Sequence, residues 1–205
     1  MQINLGRPKD LEKRRRILDS AKSLFLKLGY HGSSMNQIAA EAGVSKLTVY
    51  SHFQDKASLF ATAIEDTCSH LLAAQPLHLT SVTDFHPHLY ELCRLSLNMV
   101  CLPEAIKLDH LLFQLAAEQN PLAHQFHAAS HGKMRHIWQD FLAQAVKLGC
   151  LKSTELDELQ DCISSLLFGS RHHDVLLGIR HVPNTLEQKQ IIERSIQLFL
   201  LQYSL

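Results

Sequence analysis

Apolar residues in this chain recur at three- and four-residue intervals almost from end to end, and that spacing admits helices and little else. Ile17, Ala21, Leu24, Phe25 and Leu28 set the pattern, one stripe along a helix predicted over about Leu11–Leu28. No stretch sustains the two-residue alternation of a half-buried strand. With 8 Gly and 6 Pro in 205 residues, each breaker can be read individually. Gly29 stops the first helix as a left-handed cap does. Ser34-Met35-Asn36-Gln37 has the form of a capping box and opens a short helix, Met35–Ala42. Gly43 makes a turn, and Ser45 caps a third helix, Lys46–Phe53, whose inner side is Val49 and Phe53. After the polar break at Gln54-Asp55 a long fourth helix runs from about Lys56 to Ala74 and ends at Pro76. Loops at Thr80–Asp84, Pro103, Asn120-Pro121, Gly149 and Pro183-Asn184 leave helices at about 85–101, 104–118, 121–148, 154–180 and 185–203. The fold class is all-α.

The net charge of zero conceals a division. Residues 1–56 hold ten Lys/Arg against five Asp/Glu, whereas the remainder holds ten against fifteen. A basic first quarter on an acidic body points to a polyanion met at one end only, with the body repelled from it. Five cysteines, an odd number without a CxxC pair, suggest neither a disulfide framework nor a zinc knuckle. No apolar run is long enough to cross a membrane, and no apolar stretch directly follows the basic N-terminal residues, so neither a membrane partner nor a signal peptide is expected. The expected location is cytoplasmic, on the nucleoid.

Two short helices joined at a glycine turn, the second capped by Ser, describe a helix-turn-helix. Ala39, Ala40 and Ala42 are small enough for the helices to approach closely. The outer side of the second helix then offers Lys46, Leu47, Thr48, Tyr50, Ser51 and His52, a surface suited to the DNA major groove. The stretch from Ile17 to Ala63 resembles the DNA-binding domain of TetR-type transcriptional regulators. The resemblance lies in the Ala-x-x-Leu-Phe core of the first helix, Gly29-Tyr30, Ser33-Ser34-Met35, Ile38-Ala39, Ala42-Gly43-Val44-Ser45, Tyr50-Ser51-His52-Phe53, and Lys56 with Leu59-Phe60.

That resemblance implies a bacterial, dimeric regulator, with residues 1–57 as the DNA-binding domain (a basic arm at 1–10) and 58–205 as a helical effector-binding and dimerisation domain. It implies that Ser33 or Ser34 and Ser45 bond phosphates at helix starts, and that Lys46 and Thr48 face phosphates or base edges. Tyr50, His52 and Lys56 are implied to reach backbone phosphates. Arg7 in the N-terminal arm either enters the minor groove or forms part of a basic tail. Leu47 stands where Gly, Ala or Pro is common, and its apolar tip suits a thymine methyl. Ser51 stands where a longer basic residue is common, so one phosphate contact is expected to be missing.

The body is similar to the ligand-binding domains of AefR-like members, on Asn120-Pro121, Gly149-Cys150-Leu151 and the closing Ser195–Leu200. The resemblance implies a homodimer on a palindromic operator, repressing until a small, mainly apolar effector lowers its affinity. Leu97, Cys101, Phe113, Phe126, Trp138, Phe141 and Phe168 are candidates to line the effector pocket, or are ordinary core. Leu166, Ser170, His173 and Leu177, with Ile192, Ser195 and Phe199, are candidates for a four-helix dimer interface, or again face the internal core. Twelve of the 14 His follow residue 57. His124, His127 and His131 share one face of a helix but span about two turns, too far for a single ion, so no metal site is assigned. Metal sensing through the pairs with His86, His88, His172 or His173, thiol sensing through Cys93 and Cys101, and effector-independent architectural binding remain alternatives. No cofactor is expected. With no nucleophile motif, phosphate loop or helical metal-hydrolase signature in the chain, neither is catalysis.

Overall fold

The computed structural model describes residues 8–72 and 78–205, so the expectations placed on Arg7 and Pro76 lie outside the described residues. Apart from one isolated bridge between Leu151 and Ser204, the regular structure among the described residues is helical. The order is α1 (Pro8–Gly32), α2 (Met35–Glu41), α3 (Lys46–His52), α4 (Lys56–Leu72), α5 (Val82–Val100), α6 (Pro103–Ala117), α7 (Leu122–His127), a π-helical turn (Ala128–Gly132), α8 (Lys133–Lys147), α9 (Leu156–Leu167), α10 (Gly169–Leu176) and α11 (Thr185–Tyr203). The chain packs as two units. One runs to Ser69 and includes Leu111–Ser130; the other comprises His70–His110 and His131–Leu205. These packing units do not coincide with a division after residue 57, because α4 and residues 111–130 pack with the N-terminal helices.

In the first unit α1, α2 and α3 pack on one another around Ile17, Ala21, Ile38, Ala39 and Val49, all nearly or wholly excluded from solvent. Gly29 breaks the helical backbone near the end of α1, at φ 74° and ψ 172°. An aromatic cluster closes the unit. Phe25 meets Phe60 edge-on at 4.7 Å, Phe60 meets Phe126 at 4.7 Å, and Tyr30 lies 5.3 Å from Phe126. Edge-to-face contacts of this kind add to the area they bury. The cluster is what draws residues 111–130 into this unit.

The second unit is built on α5, α8, α9 and α11, which pack on one another around Leu89, Leu92, Trp138, Phe141, Leu159, Ile163, Ile192 and Phe199. Trp138 is buried with its polar edge satisfied: Nε1 donates to Ser96 Oγ at 2.9 Å, and Ser96 donates to the Leu92 carbonyl at 2.8 Å. Ser81 and Asp84 form the capping box of α5, so the helix begins inside the stretch expected to be a loop. The two longest expected helices are each interrupted. A π-helical turn divides 121–148, and the backbone at Phe168-Gly169, with Gly169 at φ 45°, divides 154–180.

Within the same unit Asp109 is buried between two imidazoles. His131 Nε2 lies 3.3 Å from one carboxylate oxygen and His172 Nε2 3.7 Å from the other. Burial by itself raises the Asp109 pKa, but the hydrogen bonds and positive charge of His131 and His172 outweigh it and hold the carboxyl at about 2. The depressed value means that the pairing contributes stability above the ordinary carboxylate range and loses it as pH falls through about 2. Asp109→Asn should therefore flatten the acid limb of stability between about pH 4 and pH 2 by roughly 2 kcal/mol, read from urea unfolding at stepped pH. Phe199→Ala, at a fully buried position, should destabilise by about 3–5 kcal/mol, read as a lower denaturation midpoint with unchanged slope.

Candidate nucleic-acid interface

The α2–turn–α3 segment is built from local hydrogen bonds. Ser34 Oγ accepts from Gln37 N at 3.3 Å and donates to the Gln37 side-chain oxygen at 2.8 Å, so the two side chains meet each other. Ala42 and Gly43 leave α2, with Gly43 at φ 63° where a side chain would strain the turn. Val44 N then donates to Ala39 O at 3.0 Å. Ser45 Oγ accepts from Thr48 N at 3.1 Å and bonds Thr48 Oγ1 at 2.9 Å, which starts α3.

Each residue of α3 advances about 100° around the helix axis. Val49 is wholly buried and fixes the inward direction. Leu47 and Ser51 then lie nearly opposite it, Tyr50 on one flank and Thr48 on the other, with Lys46 on the Tyr50 side and His52 on the Thr48 side, both nearer the inner face. Exposure follows this phase. Leu47 is 80% exposed and Tyr50 43%; Lys46 and Ser51 are exposed and Thr48 and His52 intermediate. The Lys46 ammonium sits 5.8 Å over the Tyr50 ring. Exposed Lys13, Arg14, Arg15 and Arg16 on α1 add positive charge to the same unit, and the Arg14 guanidinium lies 4.9 Å over Phe53.

Three residues expected at DNA are committed elsewhere. Ser33 is buried and donates to the Tyr30 carbonyl at 2.9 Å. His52 places Nε2 3.2 Å from Asp10, with its side chain only 10% exposed. Lys56 Nζ donates to the carbonyls of Tyr30, at 2.8 Å, and Ser33, at 3.1 Å, and lies over the Tyr30 ring. Lys56 thus gives the Tyr30 carbonyl a second donor beside Ser33 and supplies one to the Ser33 carbonyl just past the end of α1. Burial lowers its pKa and, with the nearby Asp55 charge, raises that of Tyr30. A Lys at the start of a helix reads from sequence as a solvent-facing cation; only the neighbouring chain end turns it inward.

The residues expected to line one effector pocket are dispersed. Leu97, Trp138 and Phe141 belong to the core of the second unit, and Cys101 and Phe168 pack against it. Phe126 is buried in the first unit, and Phe113 is 60% exposed. The second unit carries a groove of about 500 Å³ between α5 and α11, lined by His86, Tyr90, Glu193, Ile196, Gln197 and Leu200 among others; none of the seven lines it. Of the expected dimer residues, Ser170, His173 and Leu177 are exposed and Leu166 half-buried. Ile192, Ser195 and Phe199 instead face the core of their own chain, because α11 packs directly on α5 and α9.

Among the described residues no group of three His, Cys, Asp or Glu is placed to hold a metal ion. His131 turns to Asp109, a partner the sequence analysis missed; the signal was an acid set between Leu108 and Leu111 in an otherwise apolar stripe. Burial raises the thiol pKa of Cys93, Cys101 and Cys150, which disfavours the reactive thiolate. No helix of the described residues is long and apolar enough to cross a membrane.

Residues 17–63 match the family of bacterial regulatory proteins, tetR family, and residues 87–205 match the AefR-like transcriptional repressor, C-terminal domain. The chain belongs to the tetR family. This tetR-family chain is a DNA-binding transcriptional regulator, and the helix-turn-helix α2–α3 lies inside the first matched segment. It is 35% identical over 77 residues to the HTH-type transcriptional activator FasR of Mycolicibacterium smegmatis, a match covering 38% of this chain and about a third (35%) of that relative. The fold is that of a putative TetR-family transcriptional regulator from Mesorhizobium loti, with TM-score 0.78 at 22% identity over 97% of this chain and all (100%) of that one. The flavonoid-responsive regulator FrrA superposes with TM-score 0.74 at 25% identity, covering 94% of this chain and 97% of that chain.

The inward and outward lysines of this tetR-family regulator are separable by experiment. Lys56→Met should lower stability by about 1–3 kcal/mol through lost hydrogen bonds to buried carbonyls, whereas Lys46→Ala should leave it within about 0.5 kcal/mol; paired thermal melts check both.

Proposed function

We propose that the protein acts as a homodimer that occupies a palindromic operator, blocks transcription there, and is released by a small, mainly apolar effector. It works in the cytoplasm, on the nucleoid, and regulates rather than catalyses. The observation that carries the reading is the phase of α3: Val49 is buried while Lys46, Leu47, Tyr50 and Ser51 stand outward on a basic unit. Arg7, Ser34, Ser45 and Thr48 complete the proposed contact surface. Ser34 spends its hydroxyl proton on the Gln37 side-chain oxygen, and the Ser45 hydroxyl is engaged with Thr48, so their phosphate contacts run chiefly through backbone N–H groups.

Repression rather than activation is favoured by the match of residues 87–205 to a repressor domain, whereas FasR, an activator, is matched over only 77 residues. Self-association is supported by apolar surface on the last two helices and their connection, where Leu177 is 59%, Ile179 72% and Leu186 65% exposed; Ser170 and His173 lie on the first of that pair, and half-buried Leu166 near the end of the helix before it. The effector enters the second unit by repacking the half-buried Cys101 and Phe168 against Leu97, Trp138 and Phe141. A flavonoid panel is the first probe, since FrrA is described as flavonoid-responsive.

The test measures fluorescence anisotropy on duplexes enriched from genomic fragments. Wild-type affinity should fall by roughly 10³-fold between 50 and 200 mM salt if about six phosphates are contacted. Lys46→Ala and Tyr50→Ala should each weaken binding while leaving helicity and the dimer mass unchanged. A monomer indifferent to duplex DNA at low ionic strength overturns the proposal.

A further inference from the structure

The outermost line of α3 holds two side chains, Leu47 and Ser51, one turn apart. Both lie nearly opposite the buried Val49, so an approaching groove floor meets them first. Leu47 is 80% exposed among polar neighbours. Ser51 Oγ donates its proton to the Thr48 carbonyl at 2.8 Å, which leaves this hydroxyl only acceptor capacity. Ser45 and Thr48 bond each other through their hydroxyls. The ridge therefore presents an apolar tip next to a fixed acceptor.

In the major groove the complement of an apolar tip is the thymine C5-methyl, and the complement of an acceptor is an exocyclic amine, N6 of adenine or N4 of cytosine. We propose that Leu47 and Ser51 are the specificity-determining pair of α3, Leu47 seating a thymine methyl and Ser51 accepting from the exocyclic amine of the same or an adjacent base pair, so that each half-site carries an obligatory thymine. The inference rests on the DNA-binding reading of α3. Lys46 and Tyr50, on the flank, are left to the phosphates and set affinity more than sequence.

Purified full-length protein is used to enrich a randomised duplex library, and the best duplex is resynthesised with deoxyuridine replacing each thymine in turn. Deoxyuridine lacks only the methyl group. At one thymine per half-site the exchange should weaken wild-type binding about fourfold, the effect of one buried methyl, and should leave Leu47→Ala, which binds the parent duplex correspondingly less well, unaffected. Ser51→Ala should relax selection at the same or adjacent base pair in a repeat enrichment. Both positions are exposed, and unchanged thermal melts confirm that the variants fold. If every deoxyuridine duplex binds wild type within twofold of the parent, the assignment to Leu47 is overturned while DNA binding stands. If the library enriches no duplex at all, the DNA-binding reading fails and the ridge with it.

Discussion

The burial of Val49 sets the phase of α3, and the rest of the DNA-facing surface depends on it. A seven-residue helix is too short to be stable alone; it exists because one apolar side chain enters a core already made by α1 and α2. Once Val49 points inward, helical geometry puts Leu47 and Ser51 outermost, with Tyr50 and Thr48 on the two flanks. Lys46 and His52 sit equally near the inner face on either side, and the contact with Asp10 is what holds His52 in while Lys46 is exposed. The wholly buried Ile17 and Ile38 position the interface although neither belongs to it.

The same economy appears at the end of α1. Gly29 interrupts the helix, and just beyond it the Tyr30 and Ser33 carbonyls accept from the ammonium of Lys56, while the Tyr30 ring shields that ammonium. A charge that could have served DNA holds the chain end in place. In the second unit the buried carboxylate of Asp109 is tolerable because two imidazoles face it. In both places a costly polar group in the interior is matched by a partner distant in sequence, as desolvation requires.

Burial separates the residues expected at a pocket or an interface in the body from the outward residues of α3. Leu97, Trp138 and Phe141 have the composition of a pocket lining, yet they form the packed core. Ile192, Ser195 and Phe199 have the spacing of an interface stripe, yet α5 and α9 already cover them. A stripe at helical intervals states that one face is buried; it does not state whether the covering helix comes from the same chain.

What the sequence determined alone is what local chemistry controls: which segments are helical, where Ser34 and Ser45 cap them, where glycine turns the chain, and which face of α3 is apolar. These follow from spacing and from hydrogen bonds within three or four residues. Only the tertiary structure decided that Lys56 turns inward, that His52 meets Asp10, that His131 and His172 converge on Asp109, and that residues 111–130 join the first unit through Phe126. Each of those pairings spans a long stretch of chain, and a sequence read by local periodicity carries no term for the partner that desolvation of a distant group will demand.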